Sequence, residues 1–316
     1  MPEKSQAIGV LLMAYGSPAD LTEMEDYLLD IREGRAVSLE LVEEIKGRYE
    51  QIGGKSPLLE RTQEQAKALE EELNTRHANS PESFLTFVGM RHWKPRIHVA
   101  VEEMAKVGIR NAVALVMAPH SSRMSTGKYF QVLAEAPSAR DIEFVRVESW
   151  HKHKGLLDAI SEKMHVALEQ FEDSIPYIIF TAHSLPTKIL ESGDPYDQQL
   201  RETAGLLAER FALPRNGWQF CYQSAGANAI PWLGPQIEEV VEDLAQRGHL
   251  NQLVVPIGFV CDHVEVLYDI DIEARRIAES FGARLERTNS LNASPTFINA
   301  LADLVEVHLA RSDATI

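Results

Sequence analysis

Short apolar runs rich in β-branched residues alternate along the chain with longer segments whose apolar positions recur every three to four residues. The short runs predict strands and the long ones amphipathic helices. Eight strands are expected, at 7–14, 84–89, 112–118 and 142–149 in the first half and at 176–182, 217–222, 252–257 and 283–287 in the second. Helical patterns cover 59–77 and 196–211, and each half closes with one more, at 156–171 and 295–311. Strands that alternate with helices predict an α/β fold with parallel strands. Four strands followed by four suggest a duplication, with one lobe over 1–150, a second over 151–316, and closing helices able to cross between lobes. No linker rich in Gly or Ser separates them.

The halves share a local signature. The first strand ends as Met13-Ala14-Tyr15-Gly16-Ser17-Pro18 and its counterpart as Thr181-Ala182-His183-Ser184-Leu185-Pro186, which makes Tyr15 and His183 equivalent positions. The third strands run into Ala118-Pro119-His120 and into Gly258-Phe259-Val260-Cys261-Asp262-His263. Ligands of open parallel sheets bind beyond the carboxyl ends of the strands. All four motifs fall there, so two facing lobes are expected to clasp one ligand between Tyr15 and His183.

Composition narrows the functional classes. With 31 basic against 47 acidic residues the net charge is −16, which disfavours nucleic acid and anionic membranes as partners. The longest apolar runs, at 8–14, 112–118 and 253–261, are far shorter than a membrane span of about 20 residues. Met1-Pro2-Glu3-Lys4-Ser5 lacks the basic region of a signal peptide, so a cytoplasmic location is expected. Cys221 and Cys261 are the only cysteines, too few for a disulfide framework or an iron–sulfur cluster.

Several residues carry candidate chemistry, each with a structural alternative. His183 follows a strand, where a histidine can simply bond a loop, and Ser184 can cap the next helix. Asp262 with Glu265 three residues later resembles a capping box. Glu265, Asp269 and Glu273 recur every four residues, so a single α-helix would set them within about 80° of arc. Such a stripe is either a solvated face or a path for a divalent cation bound by oxygen, with a histidine as the last, softer ligand. Arg32, Arg35, Lys46 and Arg48 lie among aromatic and glycine residues early in the chain, and arginines bind carboxylates bidentately. Gly53-Gly54-Lys55-Ser56 is not a phosphate loop, because Tyr49 replaces the motif's first glycine and no strand precedes it. His92, His98, His151 and His153 have no partner at metal-ligand spacing and are expected at the surface or in supporting roles. Trp150, Trp218 and Trp232 are expected in the core or in a pocket wall.

Taken together, these strings resemble the ferrochelatases, and more closely their soluble bacterial coproporphyrin ferrochelatase branch. The match runs from Met13–Pro18 through Arg48-Tyr49, Gly53–Leu58, Thr181–Pro186, Gly193-Asp194-Pro195-Tyr196, Tyr222-Gln223-Ser224 and Pro231–Pro235 to Gly258–Asp269. The resemblance implies two similar Rossmann-like lobes of the class II chelatase kind, each a four-stranded parallel sheet flanked by helices. It implies a lyase that forms nitrogen–metal bonds by inserting Fe(II) into a porphyrin, coproporphyrin III giving coproheme in haem biosynthesis. His183 and Glu265 carry over as the catalytic pair on one face of the ring, and Tyr15 approaches from the other. Arg32, Arg48, Ser56 and Tyr129 are implied as propionate contacts, and Asp269 and Glu273 as an outer divalent-cation site. Relatives often carry a second arginine after the one matching Arg32, whereas this chain has Glu33. No organic cofactor and no iron–sulfur cluster are expected, only ferrous iron and porphyrin as substrates, on a monomer with transient partners. The rival readings are a sirohydrochlorin cobalt or iron chelatase, which would lack the Pro231–Pro235 and Gly258–Val260 strings, and a tetrapyrrole or metal carrier without catalysis.

Overall fold

The computed structural model describes residues 7–172, 174–226 and 230–313, with side chains to 310. All eight expected strands form: β1 Ile8–Ala14, β2 Phe84–Met90, β3 Asn111–Val116, β4 Glu143–Val147, β5 Tyr177–His183, β6 Trp218–Gln223, β7 Asn251–Pro256 and β8 Arg284–Arg287. They make two all-parallel sheets with the same permuted order, β2-β1-β3-β4 and β6-β5-β7-β8. The shared order is the structural counterpart of the expected duplication. Val10 to Met13 in β1 and Ile178 to Phe180 in β5 are almost wholly buried, as continuous apolar runs must be when helices cover both faces of a sheet. Gly9 shows how tightly the first sheet is covered: a Cβ there would lie 2.6 Å from Met104 Cε and 2.8 Å from Ile109 Cγ2.

The described residues form two compact units, one of 7–119, 123–150 and 292–313, the other of 120–122, 151–172, 174–226 and 230–291. The units divide near residue 150, and the closing helix Pro295–Asp313 belongs to the first unit. Phe297, Leu301 and Val305 form its buried face, which packs toward helix Leu58–Arg76 and β4. Arg76 pairs with Asp303 at 2.7 Å and Glu306 at 2.8 Å, and Trp150 stacks on Phe297 with ring centroids 6.1 Å apart. Helix Lys154–Leu168 packs instead on helix Tyr196–Arg210, with Arg210 Nη1 2.7 Å from Asp158 Oδ1. Among the described residues no helix is long and apolar enough to cross a membrane.

Candidate active site

In the second sheet the chain leaves β5 toward β6 on one side and reaches β7 on the other, so β5 and β7 flank the switch point where open parallel sheets bind ligands. His183 is the last residue of β5. Its backbone is held on several sides: Tyr196 Oη donates to the His183 carbonyl at 2.9 Å, and Ser184 N donates to the Gln223 carbonyl at 2.8 Å. Burial, together with the Glu265 and Asp194 charges, pushes the Tyr196 phenol well above its ordinary range, which keeps it a neutral donor. Ser184 is buried and donates to the Leu233 carbonyl at 2.7 Å, so it ties two loops together instead of capping a helix. On the β7 side Gly258 presses against this strand end: a Cβ there would lie 2.6 Å from Ala182 Cβ and 3.0 Å from its Cα.

Two imidazoles flank one carboxylate. His183 Nε2 lies 3.5 Å from Glu265 Oε1, and His263 Nε2 lies 3.6 Å from Glu265 Oε2. Each histidine's Nδ1 meets a backbone carbonyl, that of Ser184 for His183 and that of Cys261, at 3.0 Å, for His263. A carbonyl only accepts, so both Nδ1 atoms carry hydrogen and both Nε2 atoms are the basic positions. The carboxylate thus stands between two sites that can take or release a proton. Burial by itself would raise the Glu265 carboxyl, but the positive charge that His183 and His263 carry when protonated at Nε2 outweighs it and holds the pKa below its ordinary value.

The capping-box reading of Glu265 does not hold. His263 is the residue that precedes helix Val264–Leu267, no side chain caps it, and Asp262 instead accepts from Ser290 Oγ at 2.7 Å. The main chain of Glu265 is fixed from below, where Gln223 Nε2 donates to its carbonyl at 2.9 Å and Thr181 Oγ1 donates to Gln223 Oε1 at 2.8 Å. Nor is the acidic stripe carried on one regular α-helix. After Val264–Leu267 the chain winds as a π-helix over Asp269–Ala274 and returns to α over Arg275–Ser280. The Tyr268 carbonyl accepts from Ile272 N at 3.1 Å and from Glu273 N at 2.9 Å, the wide turn that spacing alone could not distinguish from an α turn. Asp269 is buried and accepts from Ser224 Oγ, while Glu265 and Glu273 are half-buried, which is not a solvated face.

The first unit places the remaining candidates. Tyr15 follows β1, is 40% exposed, and has its ring 4.7 Å from that of His92. His92 is buried in a supporting place: its amide donates to the Tyr15 carbonyl at 2.8 Å, and its Nδ1 lies 3.0 Å from Asp30 Oδ2. Burial and the Arg91 charge outweigh Asp30 and lower the His92 pKa. Arg32 follows helix Met24–Ile31, which ends through Glu33 and Gly34 at φ of 55° and 80°. Its Nε is buried without a hydrogen-bond partner among the described residues. Arg48 lies on helix Leu39–Gln51 and pairs with Glu44 at 2.9 Å, Ser56 is buried before helix Leu58–Arg76, and Tyr129 is buried on helix Thr126–Glu135. These four stand on separate elements.

Sequence reasoning missed His263, although it stands inside a recognised string, because its partner is set by the loop's path and not by spacing. Long-range pairing also gives His151 a partner that spacing could not show: it is buried, with Nε2 2.9 Å from Glu202 Oε2 on a distant helix. His98 is exposed and Trp150 is core, as expected. Among the described residues no group of three or more His, Cys, Asp or Glu side chains is gathered tightly enough to hold a metal ion.

A family profile described as ferrochelatase matches residues 7–309. The chain is 42% identical over 304 residues to a ferrochelatase of Deinococcus radiodurans, covering 95% of both chains. It is 41% identical over 305 residues to a coproporphyrin III ferrochelatase of Geobacillus sp. WCH70, covering 94% of this chain and 96% of that one. Among solved structures, the sirohydrochlorin chelatase SirB of Bacillus subtilis subspecies spizizenii in complex with cobalt aligns with a TM-score of 0.54 at 12% identity, covering 98% of this chain and 97% of the other. That last likeness establishes a common fold.

Proposed function

The chain belongs to the ferrochelatase family, and from that premise we propose that it inserts Fe(II) into coproporphyrin III, acting as a lyase that forms nitrogen–metal bonds, with His183 and Glu265 as its catalytic pair. One observation carries the assignment: the basic Nε2 of His183 faces the Glu265 carboxylate at 3.5 Å while its Nδ1 is committed to a carbonyl. Insertion replaces two pyrrole protons by one divalent cation, so the site must accept two protons as the metal–nitrogen bonds form. His183 Nε2 takes a pyrrole proton, Glu265 stabilises the resulting imidazolium, and His263 offers the second basic nitrogen on the far oxygen of the same carboxylate. Ferrous iron is the substrate here, and Asp269 and Glu273 are assigned to an outer site that delivers it. No organic cofactor and no iron–sulfur cluster enter this reading.

Arg32, Arg48, Ser56 and Tyr129 are assigned to the propionates, and Tyr15 to contact with the macrocycle. The partnerless buried Nε of Arg32 suits an anionic ligand, since a buried donor left unpaired is costly until something occupies it. Contacts of this kind, remote from the reacting nitrogens, can support distortion of the ring that exposes its nitrogen lone pairs. Four such partners suit a tetrapropionate better than a dipropionate. The test is multiple-turnover insertion of zinc or iron into coproporphyrin III and protoporphyrin IX. A higher kcat/KM for coproporphyrin III is expected, and preference for protoporphyrin IX would overturn the substrate assignment.

A further inference from the structure

Arg287, at the carboxyl end of β8, makes contacts that reach the catalytic segment from behind. Its Nε and Nη2 donate to the two carboxylate oxygens of Asp271, each at 2.8 Å, a bidentate fork. Nη2 also lies 3.6 Å from Asp262 Oδ1. Nη1 donates to the Thr288 carbonyl at 2.8 Å and to Ser290 Oγ at 3.3 Å, and Ser290 Oγ donates in turn to Asp262. The side chain is only 10% exposed. A cation this deep is tolerated because its donors are matched, and removing one partner would strand the others.

The positions of the two acids give the contact its meaning. Asp262 immediately precedes His263 and stands three residues before Glu265. Asp271 lies inside the π-helix, two residues from both Asp269 and Glu273. One guanidinium therefore ties the loop that enters the segment to the wide turn that follows it. It also sets its charge against two of the five carboxylates between 262 and 273.

We propose that Arg287 is a positioning residue for metal insertion, holding His263 and Glu265 in place against His183 through Asp262 and Asp271. The inference rests on the insertion reading above. It is tested first without turnover, by the ring-nitrogen shifts of ¹⁵N-histidine-labelled protein free of metal and porphyrin. Arg287→Lys keeps a charge but not the fork. In that variant His263 should lose its preference for the Nδ1–H tautomer at temperatures well below the variant's lowered thermal midpoint, where the rest of the fold is intact. The kcat for insertion should then fall about 10–100-fold, the usual cost of losing an outer-shell partner, with KM for porphyrin unchanged. Asp271→Asn should reproduce the effect, and the double variant should be no worse than either single one, because both remove the same contact. Should Arg287→Lys fail to fold, Asp271→Asn carries the same two readouts. An unchanged His263 tautomer would overturn the proposal independently of any turnover, and additive losses of insertion kcat in the double variant would overturn it as well.

Discussion

His183 presents its basic Nε2 to the Glu265 carboxylate at 3.5 Å, and the same carboxylate meets His263 on its other oxygen at 3.6 Å. One acid between two imidazoles allows a proton taken at His183 to be stabilised and moved on without rearranging the backbone. Tyr15, its positional equivalent after β1, has the ring of His92 against it, with centroids 4.7 Å apart.

The contrast between the two strand ends sets the first prediction. His183→Ala should lower single-turnover insertion about 10²–10⁴-fold with porphyrin binding nearly intact, the usual span for a lost general base. Tyr15→Phe should retain far more activity, because a phenol with an ordinary pKa near 10 is a poor proton acceptor at neutral pH. Stopped-flow absorbance with porphyrin-saturated variants measures both. A dead Tyr15→Phe beside an active His183→Ala would reverse the assignment.

Glu265 also links the site to pH. Its carboxyl titrates below the ordinary value of 4.5 because the positive charges of the two histidines, when protonated, outweigh burial. A carboxyl lowered by folding contributes stability that is present above its unfolded pKa and is lost as pH falls through the lower folded one. Wild type should therefore gain on Glu265→Gln as pH rises toward about 5 and lose that advantage on acidification below the folded pKa. Urea midpoints of the two proteins across this range test the linkage, and a difference that does not vary with pH would refute it.

Gly258→Ala should be more damaging than an ordinary glycine substitution in a loop. The new Cβ would meet the Cβ of Ala182 at 2.6 Å and its Cα at 3.0 Å, so backbone next to His183 must move. Overpacking of this kind typically costs about 1–3 kcal/mol. The loss in kcat should exceed what the fall in thermal midpoint implies, and an alanine variant with wild-type kcat would show that the close approach is dispensable.

Asp269→Ala with Glu273→Ala should raise KM for the metal and leave kcat at saturating metal largely intact, because these groups are assigned to delivery and not to proton transfer. Steady-state insertion over a metal titration separates the cases. Equal loss at saturating metal would place Asp269, buried and bonded by Ser224, in the structural frame of the π-helix instead.

Much of the architecture was legible in the chain because it is local. A buried parallel strand must be a short apolar run, so all eight strands could be located to within a few residues, and Tyr15 and His183 could be matched across the duplication. The spacing of Glu265, Asp269 and Glu273 likewise singled out one acidic segment. Tertiary structure decided what depends on partners far away in sequence. Asp262 was drawn from a cap into the Arg287 network, because a buried guanidinium needs more acceptors than Asp271 supplies. The stripe wound as a π turn, whose carbonyl pairing leaves no trace in a four-residue spacing. His92 and His151 became buried partners of Asp30 and Glu202, 62 and 51 residues away. The last helix joined the first unit because its apolar face and the acids around Asp303 fit the surface carrying Arg76. Periodicity records which side of an element is apolar; which element covers that side is settled only when the whole chain has packed.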